Sequence, residues 1–456
     1  MPPSDKPESL RWLPYKDLYG PISSVTTFGT TLVLLHDRRA VVDLLQHASD
    51  KTSGRPMMTF AHKLCSYELA IVNQGYDDRL RRCRGMIHRE LGTKATAARF
   101  QEVQEIEVRR QLVRALKEPD KWLQLFKKTT AATVLKMVYG YSVGPDDSDV
   151  LADLQDEVMN RFSRAAAPGA WLVDMMPVLQ YLPESFPGIP FKFVQRQMAG
   201  PGGYRPSYVS KLLEQSEELS PEEEDAIIWT ATSFYGAALE TTTTIMNVFT
   251  LAMVLNPEVQ RRAQLEIDQV VGSSRLPGFD DRDKLPYVGA LIKEILRWWP
   301  VLHTGFPHVA TEDIEYNSIH IPKGAILLPC VWWFMHDPDV YSNPDAFDPE
   351  RFLDPRNERD PTADTFGYGR RICPGRFFED ASLYINIVRC LAVFKLSKAV
   401  DEDGQEVDVE VKMKPGFICH PGEFGFRVTP RSVQHEILIR QVEQELPAET
   451  SDAAKL

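Results

Sequence analysis

Phe366-Gly367-Tyr368-Gly369-Arg370-Arg371-Ile372-Cys373-Pro374-Gly375-Arg376 delivers a single cysteine out of a run of glycines and arginines. An apolar pattern of helical period follows, from about Phe377 to Phe394. Cys373 therefore sits near a helix N-terminus, where the helix dipole and free N–H groups favour a thiolate, and the flanking arginines add positive potential. Gly369 and Gly375 let the backbone approach another group closely or take a positive φ. A lone cysteine in a turn is more often simply buried. One framed by three glycines and three arginines argues for a ligand position.

Upstream lies a second decisive stretch. Ser220-Pro221-Glu222-Glu223 predicts a helix start, with an N-cap serine, proline at the first position and glutamate at the third. Asn256-Pro257 stops the helix after Leu255, giving a rod of about 50 Å. From Ile227 to Leu255 its only charge is Glu240, so it must be buried nearly all round. Its length also suits a membrane span. An acid and four threonines at its centre would be costly in lipid, which favours a helix through the middle of a large helical body. Within it, Ala237 and Ala238 share a face with Thr241, leaving room beside a hydroxyl for a flat cofactor or a diatomic ligand. The alternative is that the threonine hydroxyls bond back one turn and merely bend the helix. Glu240 weighs against it, since a buried carboxylate needs a reason.

A third constellation is Glu294-Ile295-Leu296-Arg297, an acid and a base three apart on an apolar helix. Buried, such a pair needs further partners, and Arg351 in Phe347-Asp348-Pro349-Glu350-Arg351-Phe352 is one candidate.

The chain of 456 residues exceeds what one hydrophobic core usually serves, so more than one core region or two appressed domains are expected. A net charge of −12 argues against nucleic acid as a partner. The local basic run is Arg79, Arg81, Arg82 and Arg84. The six cysteines form no C-x-x-C pair and are too sparse for a disulfide framework. The N-terminus has neither a signal-peptide pattern nor an apolar anchor. Strands are expected over Ser24–Leu35, broken at Gly29, over Ser318–Ile321 and Ala325–Leu328 joined by Pro322-Lys323-Gly324, and over the alternating Glu406–Met413. Helical patterns dominate up to about residue 300, and His336–Arg359 reads as irregular. The fold class is mainly α with a smaller β region. Residues 1–431 read as one body and 432–456 as a polar C-terminal tail, fraying from about Gln441.

Taken together and in this order, the three constellations resemble the cytochrome P-450 superfamily of haem-thiolate monooxygenases. The cysteine loop matches the haem signature F-x-x-G-x-R-x-C-x-G at Phe366, Gly369, Arg371, Cys373 and Gly375. Glu294, Arg297 and Arg351 match the E-x-x-R and P-E-R-F elements, and Glu240-Thr241 the acid–threonine pair of the long helix. The likeness runs from Tyr19-Gly20-Pro21-Ile22 to Pro430-Arg431. Pro257-Glu258-Val259-Gln260, Leu285-Pro286-Tyr287 and His336-Asp337-Pro338 resemble fungal secondary-metabolism members.

The resemblance implies a P-450-type fold around a buried haem b, with Cys373 as the iron's axial thiolate. It implies Arg371 on one haem propionate and His308 as a candidate for the second. Thr241 and Glu240 would deliver protons on the oxygen side. Glu294, Arg297 and Arg351 would be a structural network. Leu80 stands where the family often has a tryptophan four residues before an arginine, so Arg84, or Arg81, is a less secure propionate contact. Ala238 stands where glycine is usual, narrowing the groove by one methyl. The family further implies an NADPH-dependent reductase, dioxygen, a small apolar substrate and contact with a membrane surface, at the cytoplasmic face of the endoplasmic reticulum. Expected substrate contacts are Pro56–Asp78, Phe234–Thr241, Val301–Phe306 and Gly416–His420. A haem-thiolate isomerase or dehydratase is the alternative enzyme, against which the Glu240-Thr241 pair argues. A non-catalytic haem sensor is the alternative outside enzymes, and it would not consume NADPH.

Overall fold

The computed structural model describes residues 7–27, 29–65, 67–144, 149–165, 195, 198, 205–215, 219–447 and 449–456. The helical pattern expected across 166–194 lies outside them. Helices dominate, as the periodicity predicts, and small sheets lie at the margins.

The long helix runs Pro221–Leu255 and begins with the expected reciprocal cap. Ser220 Oγ accepts the Glu223 N–H (3.3 Å), and the Glu223 carboxylate accepts the Ser220 N–H (3.0 Å). It is apolar and long enough to cross a membrane, but 67% of its most apolar window is buried inside the molecule. Two cores hold its two ends. Ile245–Val254 pack with residues of the helices Gln101–Lys117, Pro286–Trp298 and Arg376–Val393. Ala226, Ile227, Ala231, Tyr235 and Leu239 pack in a second core with the helix Asp78–Leu91 and part of the helix Trp122–Tyr139. Residues 240–244 belong to neither cluster. More than one core region is what a chain of this length requires.

The principal sheet has the order β1-β2-β6-β3. β1 (Ile22–Thr27) and β2 (Thr30–Leu35) form a hairpin that turns at Gly29, with φ +79°. β2 runs parallel to β6 (Ile326–Pro329), which pairs on its other edge with β3 (His308–Val309). The strands expected on either side of Pro322-Lys323-Gly324 are present but do not pair. β5 (Ile319–Ile321) pairs with β4 (Ile314–Tyr316), while β6 joins the principal sheet. Alternation marks a strand but not its partner. Glu406–Met413 carries only isolated bridges, Val400 to Glu406 and Met413 to Pro421. β7 (Phe394–Lys398) and β8 (Phe426–Pro430) form a separate antiparallel pair.

The C-terminal segment does not fray. Val433–Glu445 is a helix with Leu438, Ile439 and Val442 buried. Beyond it, Asp452 accepts the Ser142 N–H (2.9 Å), Ser451 Oγ donates to Asp149 (2.7 Å), and Glu449 pairs with Lys136 (2.7 Å). Short polar side chains satisfy the backbone just past the end of the helix Trp122–Tyr139, a role that composition alone does not reveal.

Candidate functional site

The cysteine loop is folded back on itself by the Cys373 N–H, which donates to the Phe366 carbonyl (2.7 Å). Gly369 holds φ +54°, and a Cβ there would lie 2.2 Å from the Leu45 carbonyl oxygen, so the position needs glycine twice over. Gly375 serves by closeness instead: a Cβ on it would stand 4.0 Å from the Cys373 sulfur. Cys373 lies deep in the fold yet is not fully covered. Burial pushes its thiol up; the Gly375 N–H, Arg84 and Arg376 pull it down, and Glu379 pushes it up again. The electropositive setting expected from the sequence is there, but burial outweighs it.

Beside this loop three guanidiniums converge. Arg371 donates to the carbonyls of Ser53 (2.7 and 2.9 Å) and Gln74 (2.6 Å). Arg84 donates to the Ile372 carbonyl (2.6 Å). Arg55 donates to the carbonyls of Val72 (3.0 Å) and Pro307 (2.6 Å). Among the described residues none of the three has an ion-pair partner. Burial and then Arg84 hold Arg371 down at about 10, and burial with Arg371 and Arg84 holds Arg55 well below its ordinary value. His308 joins them; its Nδ1–H donates to the Thr52 carbonyl (2.8 Å), and burial, then Arg55, holds it at about 3. As a neutral ring it offers a lone pair at Nε2. Arg81 pairs with Asp78 on the surface. Arg55 is the member that sequence reading misses, since its contact with Pro307 spans 252 positions and its loop carries no motif.

On the long helix Ala237 is exposed and Ala238 partly so, although Gly236 before them and Leu239 after them are buried. One face of a core helix is thus left uncovered, and Thr241 lies on it. Thr241 Oγ1 donates to the Ala237 carbonyl and Thr244 Oγ1 to the Glu240 carbonyl, each at 2.7 Å. The back-bonding alternative therefore describes both hydroxyls at rest. Thr242 differs: its hydroxyl donates to Glu379 Oε2 (2.6 Å) and ties the long helix to the helix that follows Cys373. Burial pushes Glu379 up to about 7, and its other oxygen has no hydrogen-bond partner among the described residues. The Glu240 carboxylate faces His420 Nε2 at 3.7 Å.

Glu294, Arg297 and Arg351 come together with no solvent exposure at all. Glu294 accepts Arg297 Nε and Nη2 (both 2.8 Å), Arg351 Nε (3.0 Å) and the Asp348 N–H (2.8 Å). Of the expected substrate segments, 301–306 and 416–420 meet through the Cys419 N–H on the Val301 carbonyl (2.9 Å). Phe306 packs edge-to-face on Phe417 with centroids 4.8 Å apart, and both rings remain exposed.

The family model for cytochrome P450 matches residues 11–428. The multifunctional cytochrome P450 monooxygenase af510 of Aspergillus fumigatus is 44% identical, over the whole of this chain and 90% of its own length. Cytochrome P450 monooxygenase CLM2 of Gibberella zeae is 40% identical, over the whole chain and 91% of its own. A zebra fish cytochrome P450 solved with abiraterone superposes with a TM-score of 0.76 over 93% of this chain and 99% of that one, at 23% identity. Fold, full-length identity and the convergence of the cysteine loop with the long helix agree, and the chain belongs to the cytochrome P450 family as one of its monooxygenases.

Proposed function

We propose that Cys373 binds the iron of haem b, and that the enzyme oxidises a small apolar secondary metabolite with dioxygen and NADPH-derived electrons from a reductase. The observation that carries the cofactor assignment is the cluster of Arg55, Arg84 and Arg371, three cations with no ion-pair partner among the described residues, set against the cysteine loop. Uncompensated buried cations require an anion, and haem propionates supply two. His308 becomes a donor at Nε2 once such an anion offsets the neighbouring arginines. Gly375 keeps a side chain away from the Cys373 sulfur, and Gly369 lets the loop pack closely on Leu45 and Ser49. When bound, the haem supplies dioxygen activation, with the thiolate's electron density favouring O–O cleavage.

The chain's own residues do the rest. Thr241's hydroxyl, resting on the Ala237 carbonyl, is free to rotate and both accept and donate on the uncovered face. Glu240, about 100° round the helix, passes protons inward from elsewhere. Phe306 and Phe417 offer aromatic surface to an apolar substrate. One relative is named as an oxidoreductase of O-methylsterigmatocystin, which supports a secondary metabolite here. The enzyme would work at the cytoplasmic face of the endoplasmic reticulum. The test is spectroscopic: the reduced carbon monoxide complex should show the strongly red-shifted Soret band of a thiolate ligand, and Cys373→Ala should lose it. Retention of that band in Cys373→Ala refutes the assignment.

A further inference from the structure

His420 reaches the one acid in the apolar stretch of the long helix, and its two ring nitrogens are unequal. Nδ1 lies 2.8 Å from Thr244 Oγ1, and Nε2 lies 3.7 Å from Glu240 Oε2. Thr244 has a single hydroxyl hydrogen, donated to the Glu240 carbonyl at 2.7 Å. When the ring is protonated, Nδ1–H donates to the Thr244 oxygen while the hydroxyl donates to the Glu240 carbonyl. Nε2 is left as the nitrogen that gains and loses a proton, on the side of the Glu240 carboxylate. Both side chains are partly open, His420 by 36% and Glu240 by 25%, and Thr241 follows Glu240 directly. The segment carrying His420 is pinned by the Cys419 N–H on the Val301 carbonyl (2.9 Å) and by the Trp299 indole N–H on the Cys419 carbonyl (2.7 Å).

We infer that His420 is the proton donor that recharges Glu240, which rests on the reading above of Glu240 and Thr241 as the proton-delivering pair. A proton from solvent bonds to Nε2 and makes the ring an imidazolium. The Nε2–H bond then breaks, directly after a small approach or through one water, and the proton bonds to Glu240 Oε2. The ring returns to its starting tautomer with Nδ1–H still on Thr244. One proton moves from solvent to Glu240 and no electrons move. The charges acting on the ring suit this. Burial lowers its affinity for a proton most; Glu240 raises it, and Lys414 and Lys127 lower it. Lys127 comes from the helix Trp122–Tyr139, and Lys414 itself faces Glu423 at 3.6 Å.

Two measurements on the haem-loaded enzyme test this. In the diamagnetic ferrous carbon monoxide form, the His420 ring titration followed by NMR should move to lower pH in Glu240→Gln, because the acid that raises it is gone. In turnover, His420→Gln keeps a polar side chain that cannot carry a proton. It should retain haem, slow product formation at saturating substrate on the order of a hundredfold, divert electrons to hydrogen peroxide and enlarge the solvent deuterium isotope effect. An unmoved titration, or an unchanged ratio of product to peroxide in His420→Gln, overturns the proposal. If Thr241→Ala and Glu240→Gln also leave that ratio unchanged, the reading of the acid–threonine pair fails with it. If those two change the ratio and His420→Gln does not, only the role of His420 fails.

Discussion

Glu294→Ala measures what the buried ion network contributes. Glu294 stands between two guanidiniums and accepts four hydrogen bonds, three of them from cations. The two arginines are not equally exposed to its loss. Arg351 keeps Glu358 at 2.7 Å, while Arg297 keeps the carbonyls of Met335 and Ala346 and the face of the Tyr341 ring, all uncharged. Removing the carboxylate therefore leaves Arg297 as a buried cation among neutral groups. Breaking a buried pair in this way costs about 3–5 kcal/mol, a large share of a typical stability of about 5–15 kcal/mol. With about 2.1 cal/mol/K of unfolding entropy per residue, each kcal/mol lowers the Tm of a 456-residue chain by about 1 °C, so a fall of about 3–5 °C is expected. Arg351 also holds the Ser342 and Ala346 carbonyls in the segment that leads to the cysteine loop, so haem occupancy should fall with Tm. Adding Arg297→Met removes the orphaned charge and should recover part of the loss. Calorimetry and the haem-to-protein ratio decide it. A single variant with full haem and a Tm within about 1 °C of the parent refutes the reasoning, as does a double variant that loses the full cost twice.

Gly369→Ala must place a methyl in the left-handed region and 2.2 Å from the Leu45 carbonyl oxygen, so purified protein should carry little haem; a normal haem ratio would contradict it. Glu379 holds its proton to about pH 7 in the fold but releases it near 4.5 when unfolded, so it lowers stability as pH rises through that window. Glu379→Gln lacks this slope, and its urea midpoint relative to the parent should climb between pH 4.5 and 7 and be flat below; parallel profiles would exclude the effect. Thr241→Ala should keep haem and substrate binding while more NADPH ends as peroxide, and an unchanged peroxide yield would remove the hydroxyl from proton delivery.

What the sequence makes legible here is what depends on neighbours in the chain. The capping box at Ser220, the glycines around Cys373 and the i, i+3 pairing of Glu294 with Arg297 are local geometry, and each forms as its residues dictate. Partners brought from afar are not encoded that way. Arg55 looks like any loop arginine until folding sets it beside Pro307, and Glu379 reads as a first-turn acid until Thr242 arrives from 137 positions away. His420 shows the intermediate case: its segment is an expected substrate contact by family resemblance, yet its hydrogen bond to Thr244 spans 176 positions. The docked C-terminal segment fails to announce itself because polar composition predicts solvent, and the backbone N–H of Ser142 that Asp452 binds lies 310 positions away.

The long helix has a mechanical consequence. Its first half is gripped by one core and its second half by the other, and the single turn from Glu240 to Thr244 lies at the seam. Thr242 and Thr244 are buried there and are held by hydrogen bonds, to Glu379 and to His420, and not by apolar packing. That turn already diverts hydroxyls onto its own carbonyls, the kind of contact that lets a helix flex. Glu240 and Thr241 thus lie on the turn that polar contacts hold between the two apolar cores. On the proposed reading of Thr241 and Glu240 as the proton-delivering pair, a bend at this turn would re-aim both side chains while the two apolar cores stay intact, and would couple loading of the substrate cleft to proton delivery.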